Sequence, residues 1–192
     1  MESTSINNRL SLMIFSCDKY QDLWDPHFFL LNKYWNKKDI KTILVTDCNT
    51  SRKIDNVEIV FAGEDSQFSE RVPVAVKCVN SKYVMITLDD YMLTEKVDER
   101  KIENILDIMD KENLDYVRLY RYPRKKLGSK LKGYKGIYHI DATKTYQVNL
   151  FVGIWRKEFL EKTFVEEKNA WQYEVSLASA AKKENAKCAM TN

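Results

Sequence analysis

Residues 83–91, Tyr83-Val84-Met85-Ile86-Thr87-Leu88-Asp89-Asp90-Tyr91, decide how the rest of the chain is read. An unbroken run of apolar, aromatic and β-branched residues is what a strand buried on both faces requires, and such strands belong to parallel sheets covered by helices. The run passes straight into two adjacent acids. In a parallel α/β sheet ligands collect beyond the carboxyl ends of the strands, where loops and helix N-termini converge. The change from apolar to acidic therefore marks where chemistry is expected.

Working outward, the same pattern recurs. Leu10-Ser11-Leu12-Met13-Ile14-Phe15-Ser16-Cys17 is a second buried-strand run ending at Asp18, and Thr42-Ile43-Leu44-Val45-Thr46 is a third ending at Asp47. Residues 57–62 and 116–120 complete the predicted strands of this part. Between them, helical spacing is predicted from Asp22 to Trp35, over 68–81 with Val72, Ala75, Val76 and Val79 inward, and from Asp98 to Asn113. In the last, Ile102, Ile105, Leu106 and Met109 recur at i, i+3, i+4 and i+7. The alternation predicts a single α/β domain over 1–192 with a mostly parallel, Rossmann-like sheet flanked by helices. Further on, Ile137–Ile140 and Val148–Trp155 regain apolar character, and helical patterns close the chain at Lys157–Phe164 and Trp171–Lys183.

Composition narrows the function. The 192 residues are 44% hydrophobic with only five glycines and three prolines, enough apolar material for a packed core. With 31 Lys+Arg against 28 Asp+Glu, the net charge of +3 is too mild to signal a nucleic-acid binder in bulk. Four cysteines without a C-x-x-C pair and two distant histidines, His27 and His139, argue against structural zinc. Neither a secretory signal nor a membrane span is read near Met1, so a cytoplasmic chain with free, mostly buried thiols is expected. Gly128, Gly133 and Gly136 form neither a P-loop nor a dinucleotide fingerprint.

Asp89 and Asp90 at the end of the most apolar strand need their charge compensated. Mg2+ or Mn2+ does this with one or two carboxylates, its other positions going to phosphate and water. A plainer reading has Asp90 capping the next turn and Asp89 facing solvent.

Four stretches, Ser16–Asp25, Phe68–Arg71, Ile86–Tyr91 and Asn169–Glu174, resemble in this order the bacterial GT-A-fold glycosyltransferases that build capsular and lipopolysaccharide chains. The resemblance implies a nucleotide-diphosphosugar donor at the carboxyl end of the sheet with a metal, Mn2+ or Mg2+, bridging its diphosphate. On that mapping 1–120 is the nucleotide-sugar-binding half and 121–192 the acceptor-side half. Asp18, Tyr20 and Asp47 would contribute to the donor site, Arg71 would meet a phosphate or the acidic pair, and Asp89 and Asp90 would hold the metal. The family's Asp-x-Asp is reduced here to an adjacent pair, since positions 87 and 88 are Thr and Leu. Glu174 would be the acceptor-side base with Asp141 in reserve. From the residues themselves, Trp171 invites stacking on a sugar ring, and Gln147 can hydrogen-bond a donor or acceptor sugar or equally pair with backbone in an edge strand. Relatives by resemblance continue past this last helix, so a minimal or truncated enzyme is expected.

These residue types suit sugar transfer, in which negative charge builds on the departing diphosphate while an acceptor hydroxyl loses its proton. Plainer readings stand beside them. Arg71 can pair with Glu70 or Asp65, Glu174 can be a solvated face residue, Trp155 can be core, and His27 and His139 read as structural. The cationic run from Arg118 to Lys135, interleaved with Tyr120, Tyr122 and Tyr134, supports a rival nucleic-acid reading. It equally suits a surface loop, or a loop at 121–135 touching an anionic membrane where lipid-linked glycan acceptors reside. The sequence thus points to a cytoplasmic glycosyltransferase, peripheral to the membrane and binding no nucleic acid. A catalytically silent sugar-nucleotide or glycan-binding module of the same fold is the alternative.

Overall fold

The computed structural model describes residues 6–35, 39–120 and 128–191. Along the chain run α1 (Ile6–Arg9), β1 (Leu10–Phe15), a 3-10 segment (Asp18–Leu23), α2 (Trp24–Tyr34), β2 (Thr42–Thr46), β3 (Glu58–Phe61), α3 (Phe68–Lys77) and β4 (Tyr83–Leu88). There follow α4 (Glu99–Glu112), β5 (Tyr116–Arg118), β6 (Ile137–His139), β7 (Gly153–Arg156), α5 (Lys157–Glu161), α6 (Ala170–Lys183) and β8 (Cys188–Thr191). The strands form one sheet in the order β3-β2-β1-β4-β7-β5-β8-β6. It is an α/β fold with a mostly parallel sheet: β3-β2, β2-β1, β1-β4 and β5-β8 pair in parallel, whereas both partners of β7, and the β6-β8 pair, are antiparallel.

Successive residues of a strand face opposite sides, and in β1, β2 and β4 both sides are apolar. Met13, Phe15, Ile43, Val45, Val84 and Ile86 pack with α3, α5 and α6. Leu10, Leu12, Ile14, Leu44, Tyr83 and Met85 pack with α2 and α4 on the other face. Burying a Leu, Ile or Val side chain contributes about 1.5–3 kcal/mol, so these three strands anchor both cores. In α4 the four residues of predicted spacing are all buried. Asp98 caps its first turn by accepting from the Lys101 N–H, and Asn113 ends it at φ +55, the left-handed conformation of a helix C-terminus.

Several elements differ from the sequence expectation. The helix expected from Asp22 is a 3-10 segment followed by α2, and the helix expected over 68–81 ends at Lys77. Pro73 falls in the second turn of α3, where it removes one backbone hydrogen bond. Of the apolar run 148–155 only Gly153–Trp155 is strand, and residues 140–152 form a strap over the sheet's carboxyl end. The unforeseen β8 inserts between β5 and β6. All four thiols are free, but only Cys188 is buried; Cys17, Cys48 and Cys78 are half-buried. No helix among the described residues is long and apolar enough to cross a membrane.

Candidate functional site

β1 brings its end level with its neighbours, since Phe15 lies opposite both Val45 of β2 and Leu88 of β4. The three acidic strand ends of the sequence therefore meet. The Asp18 N–H donates to Asp47 Oδ1 at 2.7 Å, and Arg71 Nη2 donates to Asp47 Oδ2 at 2.6 Å. Arg71 also donates to the carbonyls of Ser16 and Ser66. Its partner is thus Asp47, rather than the acidic pair, Glu70 or Asp65. Glu70 instead accepts from the Gln67 N–H at 2.6 Å and closes the capping box of α3.

The acidic pair divides. Asp89 is buried, and its carboxylate accepts from the Ser16 hydroxyl. Burial pushes its pKa up, opposed by that hydrogen bond. Asp90 is exposed. Beneath the turn lies buried His27, whose Nδ1 is 3.0 Å from the Asp89 carbonyl; burial pushes its pKa down.

Across the cleft stand the 140–152 strap and the N-terminus of α6. Asn149 is buried and pins the strap, with Nδ2 donating to the Tyr146 carbonyl at 3.0 Å and Oδ1 accepting from Tyr116 Oη at 3.2 Å and the Phe151 N–H at 3.2 Å. Tyr146 is held at φ +64, a strained conformation for an aromatic residue. Glu174 Oε1 accepts from the Leu150 N–H at 2.7 Å, and burial pushes the Glu174 pKa up against that bond. The segment before α6 is tied to α3 by Ser69 N–H to the Lys168 carbonyl at 3.0 Å and Lys168 N–H to Ser69 Oγ at 2.8 Å. That tie brings α6 to the strand ends.

Between these walls lies a cleft of about 780 Å3 lined by Tyr20, Arg71, Asp89, Asp90, Trp171 and Glu174 among others. Six of the residues singled out in the sequence thus share one cavity. Asp18, Asp47 and Gln147 do not line it. Asp141 lies outside it as well, its carboxylate taken by the Thr143 hydroxyl at 2.6 Å and by Lys144. Trp155 is fully buried between Tyr116 and Phe159, which makes it core. Residues 121–127 of the cationic run, with Arg121, Arg124, Lys125 and Lys126, lie outside the described residues. Arg118 is only 1% exposed, not a surface cation. Spacing gave no sign of Ser16, Trp24 or Asn149 as parts of the site, because their roles come from contacts made across the fold.

Among the described residues no three His, Cys, Asp or Glu side chains gather as a metal site. Mg2+ or Mn2+ bound with a nucleotide needs no such set, taking one or two carboxylates and completing its shell with phosphate oxygens and water. Asp90 fits that demand: it is exposed, lines the cleft, and its carboxylate makes no hydrogen bond or ion pair among the described residues.

No family model and no curated protein matches the sequence. Solved structures do match the fold. A mannosyltransferase, PcManGT of Pyrobaculum calidifontis, in complex with GDP-Man and Mn2+, superposes with TM-score 0.61 at 11% identity over 96% of this chain and 54% of its own. TarS of S. aureus, residues 1–349, gives 0.61 at 12% identity over 95% and 57%. GalNAc-T7 with UDP, GalNAc and Mn2+ gives 0.67 at 8% identity over 95% and 42%. This is a GT-A-type fold. In it the acidic turn after β4 stands at the carboxyl edge of the parallel strands. The chain spans about half the length of the first two structures.

Proposed function

We propose that this GT-A-type chain transfers a sugar from a nucleotide-diphosphate donor to a glycan acceptor. The observation that carries the reading is the convergence in one cleft of two carboxylates from opposite walls, Asp90 after β4 and Glu174 on α6. PcManGT and GalNAc-T7, both solved with Mn2+ and nucleotide, support a donor of this class.

In this reading Tyr20, 52% exposed at the rim, contacts the nucleotide. Arg71 is the cation that lines the cleft among the described residues, but its charge is spent on Asp47, so the cleft carries surplus negative charge from Asp89 and Asp90 on one wall and Glu174 on the other. Asp90 would hold Mg2+ or Mn2+ against the diphosphate, and that ion supplies the positive charge the leaving group needs. Glu174 keeps Oε2 clear of the Leu150 bond, and its raised pKa suits a general base. As the acceptor oxygen bonds to the anomeric carbon, the carbon–phosphate-oxygen bond breaks with its electron pair going to the diphosphate. The acceptor proton passes to Glu174. Trp171, 74% exposed on the wall beside Glu174, offers an indole face to the acceptor ring.

The acceptor we infer is a glycan of bacterial surface polysaccharide assembly, carried on a lipid at the cytoplasmic membrane face. Exposed Lys130, Lys132 and Lys135, with Tyr120 at 55% exposure, support peripheral contact there through 121–135. The test is incubation with UDP- and GDP-sugars, Mn2+ and glycan acceptors, reading released nucleoside diphosphate and new glycan. Transfer is expected. Donor binding without transfer would favour the silent module, and salt-dependent oligonucleotide binding without any sugar-nucleotide binding would favour the nucleic-acid reading.

A further inference from the structure

Asp89 is held at every polar group it has. Its N–H donates to the Phe15 carbonyl at 3.2 Å, its carbonyl faces His27 Nδ1 at 3.0 Å, and its carboxylate accepts from the Ser16 hydroxyl. The Ser16 hydroxyl is itself oriented. Trp24 Nε1 donates to Ser16 Oγ at 2.6 Å, and an indole N–H can only donate. That bond fills one lone pair of the hydroxyl and leaves its single proton directed at Asp89, a chain in which each bond polarises the next. The same logic fixes His27: a carbonyl only accepts, so Nδ1 carries the proton. Nε2 is left buried with no hydrogen-bond partner among the described residues, an arrangement that costs free energy and is retained nonetheless. Trp24 and His27 are both buried, three residues apart in the first turn of α2, and Ser16 ends the segment leaving β1. Asp90, next in the chain, lines the cleft as Asp89 does but is exposed and has no such ties among the described residues.

We propose that Ser16, Trp24 and His27 are positioning residues that lock the turn after β4, making Asp89 its internal anchor and leaving Asp90 as the one carboxylate of the pair that meets the ligand. The proposal rests on the reading of the cleft as a metal–nucleotide site. It alters the expectation that both acids hold the metal.

Calorimetric titration of UDP and GDP in the presence of Mn2+ tests it. Ser16→Ala, Trp24→Phe and His27→Leu are each expected to weaken binding by about 10–100-fold, the range typical of losing an outer residue that orients a metal ligand, here through the turn that carries Asp90. Ser16→Thr, which keeps the hydroxyl, and His27→Asn, whose amide N–H replaces Nδ1–H, are expected to return to within about 3-fold of wild type; bulk packing alone would not produce that rescue. Asp89→Asn combined with Ser16→Ala should be no worse than the worse single change, because both break one bond. Additive losses, or a loss from Asp89→Asn equal to that from Asp90→Asn, would make Asp89 a direct ligand and overturn the proposal. Amide hydrogen exchange in the ligand-free protein gives a separate reading. Peptides covering residues 86–93 should exchange faster in the three weakening variants, with the rest of the chain unchanged; unaltered exchange there overturns the lock. A wild-type protein that binds no Mn2+–nucleotide while its variants show the faster exchange would leave the lock standing and remove the donor-site reading.

Discussion

The two walls of the cleft are held in opposite ways. On the wall made by β1, β2 and β4, Arg71, Asp47 and Asp89 are each bound by two or more partners, and all three are largely shielded from water. On the wall made by the 140–152 strap and α6, buried Asn149 pins the backbone while Tyr146 and Trp171 stay 51% and 74% exposed. A fixed wall suits a ligand portion of constant geometry and high charge, since preorganised dipoles need no rearrangement when charge develops. A wall of exposed aromatic faces suits a partner recognised by shape and stacking.

Variants can break this contrast. The largest effect is expected from Glu174→Gln, which should leave donor affinity within about 2-fold but lower the transfer rate about 10²–10⁴-fold, read by initial rates. The same change should raise Tm at neutral pH. The folded-state pKa of Glu174 is raised, so its contribution to stability is fully present below the ordinary carboxylate range and lost as pH rises through the raised value. A Tm gap between variant and wild type that closes on acidification checks the sign. Asp90→Asn comes next, weakening Mn2+-dependent donor binding by more than the about 10–100-fold typical of an outer partner, read by titration.

Arg71→Ala should cost about 2–4 kcal/mol in denaturant unfolding, a little under the usual loss for breaking a buried ion pair, because Asp47 keeps some solvent contact. A loss of donor affinity with unchanged stability would instead make Arg71 a phosphate ligand. Trp171→Ala should raise the acceptor KM about 2- to 12-fold, as expected for one aromatic contact of about 0.5–1.5 kcal/mol, with Tm unmoved. The smallest effect belongs to Asp141→Asn, whose carboxylate serves only a local turn; transfer should be unchanged and stability within about 0.5 kcal/mol.

The fixed wall was also the legible one. Its strands carry apolar residues on both faces and end in acid, so β2 and β4 fall where the local pattern places them, and the meeting of Asp18, Asp47 and Asp89 follows from parallel neighbours of equal reach. The other wall depends on contacts distant in sequence. β8 pairs with β5 across some seventy residues, nothing in Cys188–Thr191 announces it, and the reversal at β7 is a matter of topology. Val148 and Leu150 read locally as strand, yet the buried polar Asn149 between them bends the chain into the strap. The candidate site divides similarly. Asp90, Arg71, Glu174, Trp171 and Tyr20 carry residue types with a recognisable purpose at strand ends or in the four matched stretches. His27 was readable only as structural, since an aromatic residue on an apolar helix face gives no hint that its ring nitrogen faces the Asp89 carbonyl.

Calorimetric titration of the wild-type chain with UDP- and GDP-sugars, with and without Mn2+, tests the central claim most directly. The cleft predicts saturable binding of at least one nucleotide sugar that is lost when the ion is chelated, because Arg71 is neutralised and Asp90 needs a cation between it and a diphosphate. Absence of binding by every donor, with Mn2+ present, would contradict it.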